Sequence, residues 1–225
     1  MTCQHLRQMV VPPCRGASHP RETLGLLQRL KTETRSHHER TEGVVRLMDA
    51  HLTPGDYQRH LEDFYGLYVP LEARLAGPLS ALGPALALGS RWKAPLLEED
   101  LRALGHDAAS LARLPRASPL PSIPGLAEAL GCAYVLEGST LGGQLILRHL
   151  ARHFGSDARV GTFAFFRAYG EQVGPMWRAF GDVLTQASER AASEAFDAAV
   201  VQGARDTFDA FAAWLMREND VPVRL

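Results

Sequence analysis

Apolar residues recur at steps of three and four along most of the chain. The clearest stripe lies near the carboxyl end and consists of Phe196, Val200, Ala204, Phe208, Phe211 and Leu215. Polar residues such as Arg205 and Asp209 occupy the other faces, as in an amphipathic helix. No segment of the sequence sustains a period of two, and the Asn-Gly and Asp-Gly turns typical of hairpins are absent from it. The pattern predicts an all-α fold.

A second helix is predicted between Thr53 and Pro78. The threonine hydroxyl can accept an N–H group of the first turn, and Pro54 suits the first helical position because its missing N–H has no helical partner there. Four of the ten residues from 115 to 124 are prolines, which predicts an extended surface connection. A linker between two domains is the alternative, but neither flank has enough apolar residues for an independent core. We expect one helical domain over 23–218, a disordered extension over 1–22 and a tail over 219–225.

The amino-acid composition narrows the class of protein. The 225 residues are 46% hydrophobic and 22% charged, which suffices for one sizeable core. A net charge of -1 gives no general attraction to nucleic acid or to an anionic membrane surface. The three cysteines, an odd number at wide spacings, support neither disulfides nor a zinc site. Without a signal peptide or an apolar run long enough to span a bilayer, a cytoplasmic protein with no membrane or nucleic-acid partner is predicted.

One candidate site is a set of charged and imidazole side chains near the start of the domain. On a helix, Lys31, Arg35 and His38 share a face because four and three residues separate them. Glu42 lies one turn beyond His38 and can accept its Nδ1–H, which leaves Nε2 free for a metal. The neighbouring His37 points about 100° away. The alternative is a solvated helix face with salt bridges.

A second candidate is a helix with three glycines on one face, Gly131, Gly138 and Gly142. Each glycine costs a helix about 1 kcal/mol relative to alanine, so another interaction must compensate. A bare backbone face can approach either a flat ligand or another helix closely. The residues alone leave both interpretations open.

Together these segments resemble the heme oxygenase family, in the form found in bacterial members that make biliverdin, including the type associated with bacteriophytochromes. The family's proximal-helix pattern Leu-Lys-x-x-Thr-x-x-x-His-x-x-x-Glu matches residues 30–42. Its distal-helix pattern matches Glu-Gly-Ser-Thr-Leu-Gly-Gly-Gln at residues 137–144, and residues 64–72 resemble its second-helix aromatic segment. The three motifs occur in the family's order, and the resemblance spans residues 23–215.

The resemblance implies a helical bundle that holds heme b, both cofactor and substrate, between a proximal and a distal helix. His38 would be the axial iron ligand. The other implied heme-binding residues are Lys31, Arg35, Tyr134 and Arg167, and the implied catalytic residues are Gly138, Ser139 and Gly142. The implied reaction uses O2 and an unidentified electron donor to convert heme to biliverdin, carbon monoxide and free iron. A bacteriophytochrome is a candidate acceptor of the biliverdin.

Ser139 is a departure from the mammalian-type members, which carry an aspartate after the first distal glycine. That aspartate organises the water network that protonates the bound oxygen species, whereas a hydroxyl carries no charge at neutral pH. The proton route is therefore left open. A heme carrier of the same fold that does not degrade heme is the main alternative function.

Several further features have weaker support. Arg167 would reach a heme propionate, with Tyr169 as a second candidate, but it is equally consistent with a surface arginine. A dinuclear-iron oxygenase needs Glu-x-x-His pairs, which the sequence lacks, and a cysteine hydrolase would have only Cys132, which has no evident base. His149 and His153 lie one turn apart without a third ligand, so we expect exposed helix histidines.

Overall fold

The computed structural model describes residues 25–155, 157 and 160–217, so the predicted extension over 1–22 and tail over 219–225 lie outside the described residues. Within those ranges the regular structure is helical, without a strand, which confirms the predicted all-α class. The α-helices of the described chain are α1 (Leu26–Glu33), α2 (Arg35–Val44), α3 (Pro54–Ser80), α4 (Ala94–Ala103), α5 (Ala108–Arg113), α6 (Leu126–Phe154), α7 (Ala164–Arg167), α8 (Val173–Ala191) and α9 (Glu194–Met216). Short 3-10 turns lie at Gly83–Leu86, Leu88–Ser90 and Gly170–Gln172.

Both helices predicted from the sequence pattern are present. Helix α3 begins with Thr53 as its N-cap, whose Oγ1 accepts the N–H of Asp56 at 3.1 Å. The Asp56 carboxylate accepts the N–H of Thr53 in return, at 2.9 Å, which completes a capping box. Helix α9 begins after the N-cap Ser193 and contains the whole apolar stripe. Its buried members are Val200, Ala204, Phe208, Phe211 and Leu215.

Helices α6 and α9 cross at glycines and touch backbone to backbone. A Cβ atom on Gly131 would lie 2.0 Å from the carbonyl oxygen of Val200, and one on Gly203 would lie 2.5 Å from that of Glu128. No side chain could replace either hydrogen without moving a helix, because the obstructing atoms are backbone. Gly131 therefore serves helix packing, one of the two interpretations left open for the glycine face.

The proline-rich segment between α5 and α6 contains no helix and packs on α3. Ala117 donates its N–H to the carbonyl oxygen of Gly66 at 3.0 Å, and the Arg116 guanidinium lies 4.8 Å from the centre of the Tyr65 ring. Buried hydrophobic residues before and after the segment belong to one continuous core. The segment is thus the extended connection that its prolines predict.

The α6–α9 crossing yields a stability prediction. We expect Gly131→Ala to lower the free energy of unfolding by roughly 1–3 kcal/mol, because the new methyl group overpacks a backbone contact. Gly142→Ala is a matched control, since Gly142 lies in the same helix but a Cβ there would meet no atom from another part of the described chain within 4 Å. That change should be neutral or stabilise by up to about 1 kcal/mol. Urea denaturation followed by circular dichroism measures both, and equal effects would contradict the backbone contact.

Candidate active site

A cleft of about 1080 Å³ opens between α1 and α2 on one side and α6 on the other. Its size is that of a site for a cofactor or small ligand. Aromatic side chains from four other helices line it, namely Phe64, Tyr68, Phe165, Phe166, Trp177, Phe208 and Phe211. The lining is therefore suited to a large flat apolar molecule.

The proximal wall is built from α1 and α2, which the sequence predicted as one helix. The helix breaks at Thr34, whose φ is -104° and ψ 1°, and whose hydroxyl donates to the carbonyl oxygen of Leu30 at 2.7 Å. The backbone hydrogen bond from His38 N to Thr34 O, at 2.9 Å, nevertheless continues the helical path across the break. Lys31, Arg35 and His38 consequently line the same cleft, as their spacing predicted.

His38 has the surroundings expected of a metal-binding imidazole. Its Nδ1 lies 3.4 Å from Oε2 of Glu42, the residue one turn further along α2. Its ring stands edge-on to Phe208, with 5.5 Å between ring centres. About half of the side chain is exposed. The contact with Glu42 engages Nδ1, which leaves Nε2 as the nitrogen that can bind a metal in the cleft.

The distal wall is a stretch of α6 in which glycines leave bare backbone between larger side chains such as Leu141 and Leu145. Tyr134, Gly138, Ser139 and Gly142 line the cleft. A Cβ on Gly138 would make only ordinary contact with Trp177, at 3.7 Å, and one on Gly142 would meet no neighbouring atom of the described chain within 4 Å. These two glycines do not serve helix packing. They leave room in the cleft, unlike Gly131 on the same helix.

A pair of hydroxyl groups lies at this wall. Ser139 donates its proton to the carbonyl oxygen of Leu136 at 2.8 Å, so Tyr68, whose OH is 3.1 Å from Ser139 Oγ, must be the donor of the second hydrogen bond. Burial raises the pKa of Tyr68, which keeps its phenol protonated. The sequence placed Tyr68 in an aromatic motif but did not assign it to the site. Tyr68 lies one helical turn after Phe64 on the same face of α3. This spacing is the signal that could have assigned Tyr68 to the site.

Behind the distal wall lies a buried ionic cluster made of Glu72, Arg91, Lys93, Glu137 and Tyr169. Glu137, 4% exposed, accepts a hydrogen bond from Arg91 and others from Lys93 Nζ at 3.1 Å and Tyr169 OH at 2.7 Å. Glu72 accepts the backbone N–H of Lys93 at 2.6 Å. Both cations thus pair with Glu137, whereas Glu72 binds backbone N–H groups beside them, and Lys93 also lines the cleft.

The cluster perturbs the ionisation of its members. Burial lowers the pKa of Lys93, and the nearby Glu137 carboxylate opposes that change. Burial raises the pKa of Glu72, while the backbone N–H groups of Lys93 and Ala94 act in the opposite direction. This cluster was not predictable from the sequence, because nothing in the local pattern distinguishes Arg91 and Lys93 from surface cations.

Two of the weaker candidates lie away from the cleft lining. Arg167 is exposed at the end of the four-residue helix α7, and its Nε donates to the carbonyl oxygen of Thr162 at 2.7 Å. It is not among the residues that line the cleft, and its role at a propionate stays a prediction. Tyr169, the second candidate, instead donates to Glu137.

The remaining titratable candidates do not form a second centre. His153 is exposed as expected, and its Nε2 lies 2.7 Å from the carbonyl oxygen of Leu52, but His149 is half-buried, contrary to expectation. No group of three potential metal ligands occurs among the described residues. Burial raises the pKa of Cys132 to about 11, which argues against a nucleophilic thiolate.

Comparisons with known proteins identify one family. The model of the family described as heme oxygenase matches residues 24–217. Heme oxygenase from Xanthomonas campestris pv. campestris (strain 8004) is 31% identical over 176 residues, which cover 76% of this chain and 96% of that protein. The solved structure of heme oxygenase from Leptospira interrogans superposes with a TM-score of 0.63 at 17% identity, covering 85% of this chain and 98% of that one.

The chain therefore belongs to the heme oxygenase family and is a heme-degrading enzyme. The resemblance seen in the three sequence motifs is confirmed. Nothing in the comparisons favours the heme carrier. Among the described residues, no helix is both long and apolar enough to cross a bilayer.

The ionic cluster yields a second stability prediction. Glu137→Leu should lower the free energy of unfolding by about 3–5 kcal/mol, because it leaves Arg91 and Lys93 buried without their carboxylate. Glu137→Gln keeps the shape and an acceptor oxygen, so its loss should be smaller. The control is Glu98→Leu, which breaks the exposed pair with Arg102 and should cost no more than about 0.5 kcal/mol. Thermal melts of the three variants compare them, and a Glu137→Leu variant as stable as Glu98→Leu would refute the role of the cluster.

Proposed function

We propose that the cleft binds heme b and that the chain converts it, with O2 and electrons from a separate donor, to biliverdin, carbon monoxide and free iron. The observation that carries this proposal is the position of His38 across an aromatic cleft from Gly138 and Gly142. One wall offers a metal-binding nitrogen and the other offers bare backbone. Together the two walls can hold a metalloporphyrin between them.

The residues present fit heme in three respects. The aromatic lining suits the faces of the porphyrin, and Lys31 and Arg35 offer cations at the same cleft for its two carboxylates. The open space above Gly142 accommodates a flat molecule close to α6. The imidazole of His38 is a common donor to heme iron.

When bound, heme supplies both the iron that activates O2 and the porphyrin that is cleaved. The chain's own residues hold and orient it. The Glu42 carboxylate, 3.4 Å from Nδ1 of His38, is placed to accept a proton from Nδ1 and so to favour the tautomer with Nε2 free. Gly138 and Gly142 keep side chains out of the space between α6 and the porphyrin, where a diatomic molecule must fit.

We assign proton handling at the distal wall to Tyr68 and Ser139. The proton of Ser139 is committed to the carbonyl oxygen of Leu136, so toward the cleft this hydroxyl offers a lone pair that can hold a water molecule. Tyr68 keeps its own proton and fixes the rotamer of Ser139. In this proposal a hydroxyl pair and a backbone carbonyl order the water that an aspartate orders in the mammalian-type members.

The remaining site assignments follow from the same placement of heme. Lys31 and Arg35 bind the propionates. Arg35 must first leave its exposed ion pair with Glu39, in which Nε and Oε1 are 2.9 Å apart. Tyr134 packs beside the porphyrin, and Arg167 reaches a propionate only by leaving Thr162. We further propose a single domain over 23–218, a cytoplasmic location and, as one candidate acceptor of biliverdin, a bacteriophytochrome.

The proposal is tested by adding hemin to the purified chain. A Soret band should appear, and a chemical reductant in air should convert it to the broad red absorption of biliverdin. His38→Ala should lose the histidine-ligated spectrum and turnover, and added imidazole should partly restore both. His37→Ala should keep a histidine-ligated spectrum. Loss of that spectrum in His37→Ala but not in His38→Ala would refute the assignment of the ligand.

The distal glycines separate an enzyme from a carrier. Gly142→Leu should leave a folded protein that binds hemin through His38, yet lower biliverdin formation by more than about tenfold, because the side chain crowds the reacting atoms. Gly138→Leu should act similarly. Gly89→Leu, at an exposed glycine of a 3-10 turn outside the cleft, is the control. Hemin titration and single-turnover absorbance measure the two effects, and equal losses of affinity and rate would contradict this role.

A further inference from the structure

The helix that carries His38 is docked almost without hydrophobic packing. None of the ten residues of α2 is buried. Its partly buried residues are His37, Thr41 and Val44, which share one face because four and three residues separate them. A surface helix normally docks through an apolar stripe, and here two of the three stripe positions are polar. The placement of α2 on its main neighbour, α9, must therefore depend on polar contacts.

Those contacts converge on one carboxylate of α9. Nδ1 of His37 lies 2.8 Å from Oδ1 of Asp209, and Arg40 donates to the same oxygen at 2.7 Å. The hydroxyl of Thr41 lies 3.1 Å from the carbonyl oxygen of Phe208. An ionised carboxylate only accepts hydrogen bonds, so His37 carries its proton on Nδ1. We call His37, Arg40, Thr41 and Asp209 the α2–α9 clamp.

The clamp and the contacts of the proposed iron ligand use adjacent residues on both helices. His37 contacts Asp209, while the next residue of α2, His38, stands edge-on to Phe208, the residue before Asp209 in α9. Successive residues of a helix point about 100° apart. Docking His37 on Asp209 therefore turns His38 toward the cleft, and rotation of α2 about its axis would turn it away. The side chain of His37 is 20% exposed, so this contact is partly shielded from water.

We propose that His37 and Asp209 are positioning residues for heme ligation, because their hydrogen bond sets the rotation of α2 that presents His38 to the cleft. Neither residue touches heme in this assignment. The placement of α2 is a property of the chain alone, and only its consequence for ligation rests on the proposed function.

The first arm of the test needs no heme. Amide hydrogen exchange of α2 is measured by mass spectrometry on the apoprotein, for His37→Ala, Asp209→Ala, the double variant and His37→Asn. Exchange in α2 should be about tenfold faster in both single variants, since a hydrogen bond to a charged group is lost. The double variant should exchange no faster than Asp209→Ala, because the two side chains form one contact. His37→Asn, whose amide N–H can replace Nδ1–H, should restore protection.

Two controls separate the clamp from general destabilisation. Ser36→Ala changes an exposed neighbour on α2 that does not line the cleft, and its exchange should match the unchanged chain. Alanine has a higher helix propensity than histidine, so faster exchange in His37→Ala cannot come from intrinsic propensity. The melting temperature should change by no more than about 2 °C. Unchanged α2 exchange in both single variants, or equally faster exchange in all helices, would overturn the proposal.

The second arm measures release of hemin to an excess of apomyoglobin. His37→Ala and Asp209→Ala should keep a histidine-ligated spectrum but release hemin about tenfold faster, and His37→Asn should behave like the unchanged chain. Faster α2 exchange with unchanged release would overturn the link to ligation. If the unchanged chain gives no histidine-ligated hemin spectrum, the assignment of His38 fails while the exchange result still decides whether the clamp positions α2.

Discussion

The backbone contact between α6 and α9 places everything else in the site. Gly131 and Gly203 let the two helices approach until only a hydrogen atom fits between them, and no larger residue could occupy either position without separating the helices. This contact fixes the position of α6 relative to α9 next to the cleft. The continuation of the same helix then carries Gly138 and Gly142 along the distal wall, while α9 presents Phe208 and Asp209 to the proximal side. Both walls are thus positioned from one crossing.

Burial of charge is the second constraint on the distal wall. Glu137 immediately precedes Gly138, and its carboxylate is held by Arg91, Lys93 and Tyr169 in a nearly water-free environment. Separating such ions from one another inside a protein is costly, so α6 is locked in rotation as well as in position. Gly138 and Gly142 can then lack side chains. Their placement comes from the ionic contacts behind them and not from their own side chains.

Much of the fold was predictable because periodicity and capping are local. Thr53 and Asp56 define the start of α3, and the stripe from Phe196 to Leu215 defines α9. The break at Thr34 was not predictable, since the threonine hydroxyl only competes for Leu30 O once the tertiary fold favours it. At the site, the motifs contained most of the predicted residues that line the cleft, but Tyr68 and Lys93 were missed, and the predicted Arg167 does not line it. The sequence could not show that Gly131 packs while Gly142 stays open, because both are simply glycines on one helix face.

The break at Thr34 divides the proximal wall into parts of unequal stability. Helix α1 is anchored by the buried Leu26 and Leu30 and by ion pairs of Arg29 with Glu194 and of Glu33 with Arg205. Helix α2 has no buried side chain, so moving it away from α9 exposes little apolar surface. Its local opening therefore requires far less free energy than unfolding of the core. A flat ligand that entered or left by displacement of α2 would therefore not require unfolding of the α6–α9 core.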